Sequence, residues 1–293
     1  MKKHLGLIGL LTVAIMWGFG FVANAVALND MSPLQILCVR FFLAAVIMGA
    51  FAFKKLKKVT KGTLFAGLIL GLFLFVGFVL QTVGLQYTTP SKNAFLTATN
   101  VVIVPFIAFV IYRKKVDRFS VYGAILAMIG FAVLSLQGNL MLGYGDVLTL
   151  LCAVGFALHI FFTGEFVKRH DAMALTAIQM IVAFVLSMIS VFATGDYHIS
   201  AVGNSWISVI YLGVFSTSAA FFLQSVSQKY TDETTAAVVM SMESVFGSVF
   251  SILIVHDPVT SRVVIGCLLI LSAVIISETK LKWLFKPRLN PAE

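Results

Sequence analysis

Apolar runs of about the length of a membrane span follow one another along the chain, separated by short polar connections. They fall near residues 5–28, 33–53, 62–86, 91–112, 119–137, 146–167, 173–194, 203–226, 234–255 and 259–279. A helix of about 20 apolar residues crosses the roughly 30 Å of bilayer hydrocarbon, so each run reads as a transmembrane helix, ten in all. Helix breakers sit between the runs. Pro33 opens the second, Pro90 precedes the fourth, Gly138, Gly143 and Gly145 mark a central connection, and Pro258 precedes the tenth. Short connections make sequential helices antiparallel, and the expected fold class is an all-α integral membrane protein. Lys2 and Lys3 ahead of the first run, with Ala23-Asn24-Ala25 within it, have the outline of a secretory signal. The run from Leu5 to Leu28 exceeds a signal core of roughly 7–15 residues and reads as the first membrane helix.

Composition agrees with the pattern and removes other classes. Hydrophobic residues make up 60% of the chain and charged residues 11%, against about 25% charged in an average soluble domain. No soluble core absorbs such a surplus. The net charge of +9 would raise nucleic acid as a partner if it were clustered on a folded surface. Here the charges lie between apolar runs, and nucleic acid is not expected. Cys38, Cys152 and Cys267 all fall within apolar segments without close spacing, so neither a disulfide framework nor a zinc site is read from them.

The basic residues also set an orientation, because cytoplasmic loops retain lysine and arginine. Lys2 and Lys3, the cluster Lys54 to Lys61, Arg113 to Arg118, Lys168 and Arg169, Lys229, and Lys280 to Arg288 all fall on one side of the ten-span topology. Of 21 basic residues, only Lys92 and Arg262 fall on the other side, and Arg40 lies inside the second span. The expected location is the inner (cell) membrane, multi-pass, with both termini cytoplasmic and the lipid bilayer as surroundings.

A shift of 143 positions sets Leu80-Gln81-Thr82-Val83-Gly84-Leu85-Gln86-Tyr87-Thr88 on Leu223-Gln224-Ser225-Val226-Ser227-Gln228-Lys229-Tyr230-Thr231, with five of nine positions identical. Nearer each repeat's start the shift is 139, pairing Trp17 with Phe156 and Arg40 with Gln179, and a longer loop over 195–205 absorbs the difference. The expectation is two five-helix repeats, residues 1–140 and 141–293. Five is odd, so the second repeat enters from the opposite side, an inverted architecture common among secondary transporters. Inversion keeps paired residues level only at the midplane. Asn100 and Glu243 are such a pair, each about nine residues or roughly 14 Å into its helix.

Ionisable groups inside a span are costly enough to be read as functional by default. Glu165 lies near a helix end beside Lys168 and Arg169, where an i,i+3 or i,i+4 salt bridge accounts for it. Arg40 can snorkel, support a neighbouring helix, or hold a substrate carboxylate. Glu243 is the deepest, with no basic residue within one turn, and is the candidate for proton or cation coupling. His159 is the histidine inside a span, where an interhelical hydrogen bond competes with a proton relay. Trp17 sits mid-span, away from the interfacial belt, as packing or as a surface for a cationic or aromatic solute. Gln81, Gln224, Asn100 and Gln179 are amides that serve either as interhelical glue or as cavity lining. Gly67 and Gly71 form a small-xxx-small contact. The candidate substrate-binding set is therefore Trp17, Arg40, Gln81, Asn100, His159, Gln224 and Glu243. No phosphate loop, metal-binding pattern or nucleophile in a catalytic setting is found, so no cofactor, metal or enzymatic activity is expected.

Trp17-Gly18, Pro33 with Arg40-Phe41, and Gly84-Leu85-Gln86-Tyr87-Thr88-Thr89 leading to Ala94-Phe95-Leu96-Thr97 make a familiar series. With Pro105, Met242-Glu243-Ser244 and Asp257-Pro258-Val259-Thr260, the chain resembles the EamA-like branch of the drug/metabolite transporter superfamily over nearly its whole length. Ser244 stands where that family commonly has proline, and Asp257 where it has glutamate. The resemblance implies a ten-helix inverted-repeat carrier, monomeric or homodimeric, with a cavity lined by helices one, three, four, six, eight and nine. The implied function is secondary transport of a small metabolite, an amino-acid-like solute or an organic amine, by alternating access in the export direction. Uptake of an organic cation by the same fold competes with this. From a different class, so does a non-transporting flippase subunit, channel or sensor.

Overall fold

The computed structural model of the chain describes residues 2–88, 90–113, 117–135, 143–199, 202–255 and 259–280. Thr89, Gly138, Asp257 and Pro258, with Lys114, Lys115, Lys282, Lys286 and Arg288, lie outside the described residues. Among those described the chain is helical throughout, without a strand: α1 (Lys2–Ala27), α2 (Pro33–Leu56), α3 (Lys61–Leu85), α4 (Pro90–Ala98), α5 (Asn100–Tyr112), α6 (Arg118–Ser135), α7 (Tyr144–Phe166), α8 (Ala172–Thr194), α9 (Gly203–Tyr211), α10 (Ala220–Gln228), α11 (Glu233–Met240), α12 (Glu243–Phe250) and α13 (Ser261–Thr279). A π segment, Leu212–Ala219, joins α9 to α10 without interrupting the rod, and a second, Ser251–Val255, extends α12.

Seven helical rods among the described residues are long and apolar enough to cross a membrane, including Gly203–Gln228 through the first π segment and Glu233–Ile254 through the α11–α12 junction. Three further apolar helices are shorter: Leu96–Ile111, Arg118–Val133 and Ser261–Ser277. Among the described residues every predicted run thus coincides with helix, but three fall short of full span length. Large apolar side chains ring the outside, among them Phe51, 73% exposed, and Phe106, 66% exposed. In water so much apolar surface would aggregate, whereas against lipid tails it carries no such cost.

Local chemistry fixes where helices begin. Ser32 accepts from the Gln35 N–H while the Gln35 side chain accepts from the Ser32 N–H, a capping box with Pro33 in the first turn of α2. Thr60, Asp171, Asp232 and Thr260 cap α3, α8, α11 and α13 in the same sense. Two junctions interrupt a rod internally, at Thr99 between α4 and α5 and at Ser241–Met242 between α11 and α12. At each, a hydroxyl bonds a carbonyl three residues back, Thr99 Oγ1 to Leu96 O and Ser241 Oγ to Val238 O, both at 2.6 Å.

Side-chain links gather the connections into two ends. At one end Lys55 pairs with Asp171 at 2.7 Å, Lys168 with Glu233 at 2.7 Å, and Lys280 with Asp117 at 3.2 Å. At the other, Gln35 Nε2 donates to Asp196 Oδ1 at 2.9 Å, Ser32 bonds Asp196, Ser205 Oγ donates to Asp30 at 2.6 Å, and Thr88 donates to Asp146 at 2.7 Å. The first end is the one rich in lysine, as the charge pattern predicts. The i,i+3 pair Glu165–Lys168 closes at 2.7 Å, as its spacing implies.

Helices cross most closely on glycine. A Cβ on Gly145 would lie 2.6 Å from Gly84 O and 2.8 Å from Tyr87 Cβ, and one on Gly6 3.1 Å from Ser227 O and 3.5 Å from Tyr230 Cβ. A Cβ on Gly67 or Gly71 would strike Ile178 or Val182 of α8, the close contact expected of that glycine pair. Between α6 and α13, Gly123 faces Ala273 O and Gly130 faces Gly266 O, each at 2.9 Å from the missing Cβ.

Candidate functional site

The gathered helices leave a cavity with about 580 Å³ of space unoccupied by atoms, its mouth included. Its walls come from α1, α2, α3, the α4–α5 junction, α7, the first π segment with α10, and the start of α12. Six of the seven predicted site residues line it: Trp17, Arg40, Gln81, Asn100, His159 and Glu243. Gln224 does not. It is fully buried one turn beyond Phe221, with its Nε2 donating to Gln228 Oε1 at 3.0 Å. Gln179 also lies outside the lining, holding His159 Nε2 at 2.8 Å through its Oε1.

Each lining side chain is positioned by a specific neighbour. Trp17 Nε1 donates to Ser216 O at 3.0 Å and its ring leans on Phe221 with centroids 5.1 Å apart. Beside it, a Cβ on Gly18 would come within 2.9 Å of Glu243 O, so only glycine lets α1 approach α12 this closely. Arg40, 3% exposed, donates from Nε to Thr217 Oγ1 and from Nη2 to Ser216 Oγ at 3.3 Å, with its guanidinium 4.0 Å from the centre of the Phe78 ring. These contacts anchor the cation to the π segment while leaving it on the cavity wall. Gln81 Nε2 donates to Thr97 Oγ1 at 3.2 Å. The His159–Gln179 bond joins α7 to α8, the interhelical role weighed from the sequence, and the His159 ring meets Phe221 edge-on at 5.4 Å.

Asn100 and Glu243 differ from these. Each is the first residue of its helical segment, α5 and α12, immediately after the junction that breaks its rod. They are 9% and 8% exposed, and among the described residues neither side chain has a hydrogen-bond or ion-pair partner. Arg40 shares the cavity with Glu243 but forms no ion pair with it, its donors being directed at Ser216 and Thr217. A buried carboxyl group without a partner is costly. What would relieve it is a proton, a cation or an ammonium group entering the cavity.

Part of the cavity wall is not singled out by the sequence pattern. Asn24, whose Oδ1 has no hydrogen-bond partner among the described residues, lines the cavity together with Thr97, Ser216 and the rings of Phe21, Phe78, Phe156 and Phe221. Phenylalanine is too common here, at 27 residues, to single out by type. The repeat was the usable signal, since a 143 shift pairs Phe78 with Phe221 and a 139 shift pairs Asn24 with Thr163.

The chain matches the EamA-like transporter family twice, over residues 4–136 and 143–279. An uncharacterized transporter of Archaeoglobus fulgidus is 35% identical over 278 residues, covering 94% of this chain and 86% of that one. The uncharacterized transporter YoaV of Bacillus subtilis is 23% identical over 278 residues, covering 90% and 93%. A solved crystal structure superposes with a TM-score of 0.78 at 15% identity, covering 96% of this chain and 99% of that one, a likeness of fold. The membrane-length helices and the two family matches lead to one conclusion: this multi-pass membrane protein belongs to the EamA-like transporter family.

Proposed function

We propose that the protein is a secondary transporter of ten transmembrane helices, built as two inverted five-helix repeats (residues 1–140 and 141–293), that exports a small metabolite by alternating access. The observation that carries the reading is the pair Asn100 and Glu243, which line one cavity with no hydrogen-bond or ion-pair partner among the described residues. Repeated contacts support the inversion. Under the 139 and 143 shifts Gly6 pairs with Gly145, Ser227 with Gly84 and Tyr230 with Tyr87, so the two glycine crossings are one contact made twice. Trp17 on Phe221 at 5.1 Å repeats as Phe156 on Phe78 at 5.0 Å. Gly123 with Ala273 maps onto Gly130 with Gly266 in reverse. Such a two-fold related core is what rocking of one repeat against the other requires.

The cargo carries an amine. A carboxyl group without a partner among the described residues, lining one cavity with Trp17 and Phe221, suits an ammonium, by charge and by cation–π attraction, and the amides of Asn24, Gln81 and Asn100 can meet the polar remainder of an organic amine or amino-acid-like solute. Glu243 couples transport by exchanging a proton or cation for that ammonium. With lysine-rich loops inward, both termini are cytoplasmic. Amino acids and amines are screened by thermal shift on the purified protein. A binder present at about 100 times its Kd adds about 2.7 kcal/mol to stability. The radiolabelled hit is then followed in proteoliposomes by counterflow. Glu243→Gln, folded by size-exclusion chromatography, falls to the rate of empty liposomes. Wild-type counterflow in that variant would remove Glu243 from its assigned role.

A further inference from the structure

Three of the seven buried side-chain oxygens that lack a hydrogen-bond partner among the described residues lie beyond the cavity floor, toward the lysine-rich end. They are Gln224 Oε1, Thr163 Oγ1 and Thr231 Oγ1, each sealed from solvent. Their positions continue the cavity wall. Ile160 and Phe221 are its lowest lining residues on α7 and α10, and Thr163 and Gln224 follow each by three residues, on the same helix face one turn deeper. Gln228 Nε2 donates to Ile160 O at 2.9 Å and its Oε1 accepts from Gln224, stitching α10 to α7 across this floor. Beyond it, a Cβ on Gly164 would touch Glu233 Cγ at 2.6 Å, and Lys168 clasps Glu233 at 2.7 Å. They also align with cavity-lining residues: Gln224 with Gln81 under the 143 shift, Thr163 with Asn24 under the 139 shift. Gln81 and Asn24 line the cavity.

We propose that Gln224 and Thr163 are the solute-path residues of the opposite state: the seam between α7 and α10 opens toward the lysine-rich end, exposing them to water and cargo, as the half containing Gln81 and Asn24 closes. This rests on the inverted-repeat carrier proposed above. Orphaned acceptors have a physical reason to occur here. A seam that stays closed is best filled with apolar side chains, whereas one that opens must present polar atoms to water in one state and bear their burial in the other. Lys168 with Glu233 is the latch, and its loss leaves the Glu233 carboxyl group buried beside Gly164 without its cation, favouring the open seam.

The test uses the full chain with Cys38, Cys152 and Cys267 replaced by serine, and single cysteines introduced as Gln224→Cys, Thr163→Cys, Gln81→Cys and Asn24→Cys. A membrane-impermeant maleimide, which reacts with the thiolate and therefore needs water, is added from either face of oriented vesicles. The expected result is labelling of Gln224→Cys and Thr163→Cys from the lysine-rich face and of Gln81→Cys and Asn24→Cys from the other. Adding Lys168→Met raises the first pair several-fold and lowers the second. Because cysteine is close to threonine in volume, Thr163→Cys keeps the test alive if Gln224→Cys fails to fold. Two results overturn the proposal: no labelling of either seam position from either face with and without Lys168→Met, or labelling of all four positions from one face. In either case an intact effect of Glu243→Gln on counterflow leaves the transport function standing, and reciprocal labelling without any counterflow does the reverse.

Discussion

Arg40 shows how one charged side chain is made tolerable within apolar surroundings. Its planar fork reaches two hydroxyls on the π segment while its face covers the Phe78 ring, so hydrogen bonding and stacking act in different planes of the same group. Lysine has the charge but neither the fork nor the plane. Arg40→Lys is therefore expected to lose up to two hydrogen bonds, each worth about 1.5–3 kcal/mol when one partner is charged, and to lower the thermal unfolding temperature in detergent. An unchanged unfolding temperature would mean that these contacts contribute nothing net. Glu243 has the opposite economy, because nothing among the described residues satisfies it. Depth in the span already separated these two residues in the sequence, Glu243 lying deepest with no basic neighbour within a turn. Arg40's commitment to Ser216 and Thr217 was not legible, since those residues lie 176 and 177 positions away.

At the scale of elements, helix ends followed from local chemistry and internal breaks did not. Asp171 caps α8 by accepting from the Ala174 N–H at 3.0 Å and pairs with Lys55 at 2.7 Å. Partial burial works against its charge, but the Lys55 hydrogen bond and the Ala174 N–H outweigh this and hold its carboxyl group below the ordinary aspartate value. A lowered folded-state value means that the stabilisation is present above the ordinary value near 3.9 and is lost as pH falls through and below it. Asp171→Asn keeps a cap and loses the ion pair, costing less than about 1 kcal/mol because the pair is about half exposed. Asp171→Ala loses both, with the cap alone worth about 1 kcal/mol. Unfolding temperatures of the three proteins at neutral pH should fall in that order, and the gap between wild type and Asp171→Asn should close in acid. The junctions at Thr99 and Ser241–Met242 carry no glycine or proline, the residues that punctuate a helix from sequence. Their position, one residue before Asn100 and Glu243, emerges only when hydroxyls are seen bonding back to Leu96 O and Val238 O.

For the whole molecule, the charge pattern and the side-chain links are independent and give the same division of loops into two ends. The sign of that division in the membrane follows from lysine retention and is open to measurement. Single cysteines placed at Lys57 and Lys229 should react with an impermeant maleimide only from the cytoplasmic face, and ones at Asp30 and His198 only from the opposite face. Reaction of Lys57→Cys from the outside would invert the orientation proposed for the entire chain.

The order of amino acids was enough to read a membrane bundle, the apolar runs that become helix, and the division of loops between two ends. Each of these depends on short windows: apolar length against bilayer thickness, caps within one turn, charge within a loop, an i,i+3 pair such as Glu165–Lys168. Tertiary structure alone decided which face of each helix turns inward. A rotation of one residue, about 100°, carries a side chain from cavity to seam, and that rotation is set by contacts such as Gly18 on Glu243 O and Gly71 on Val182, made between residues far apart in sequence. For that reason Gln81 and Gln224, which a shift of 143 positions aligns, end in different surroundings, one lining the cavity and the other sealed one turn below it.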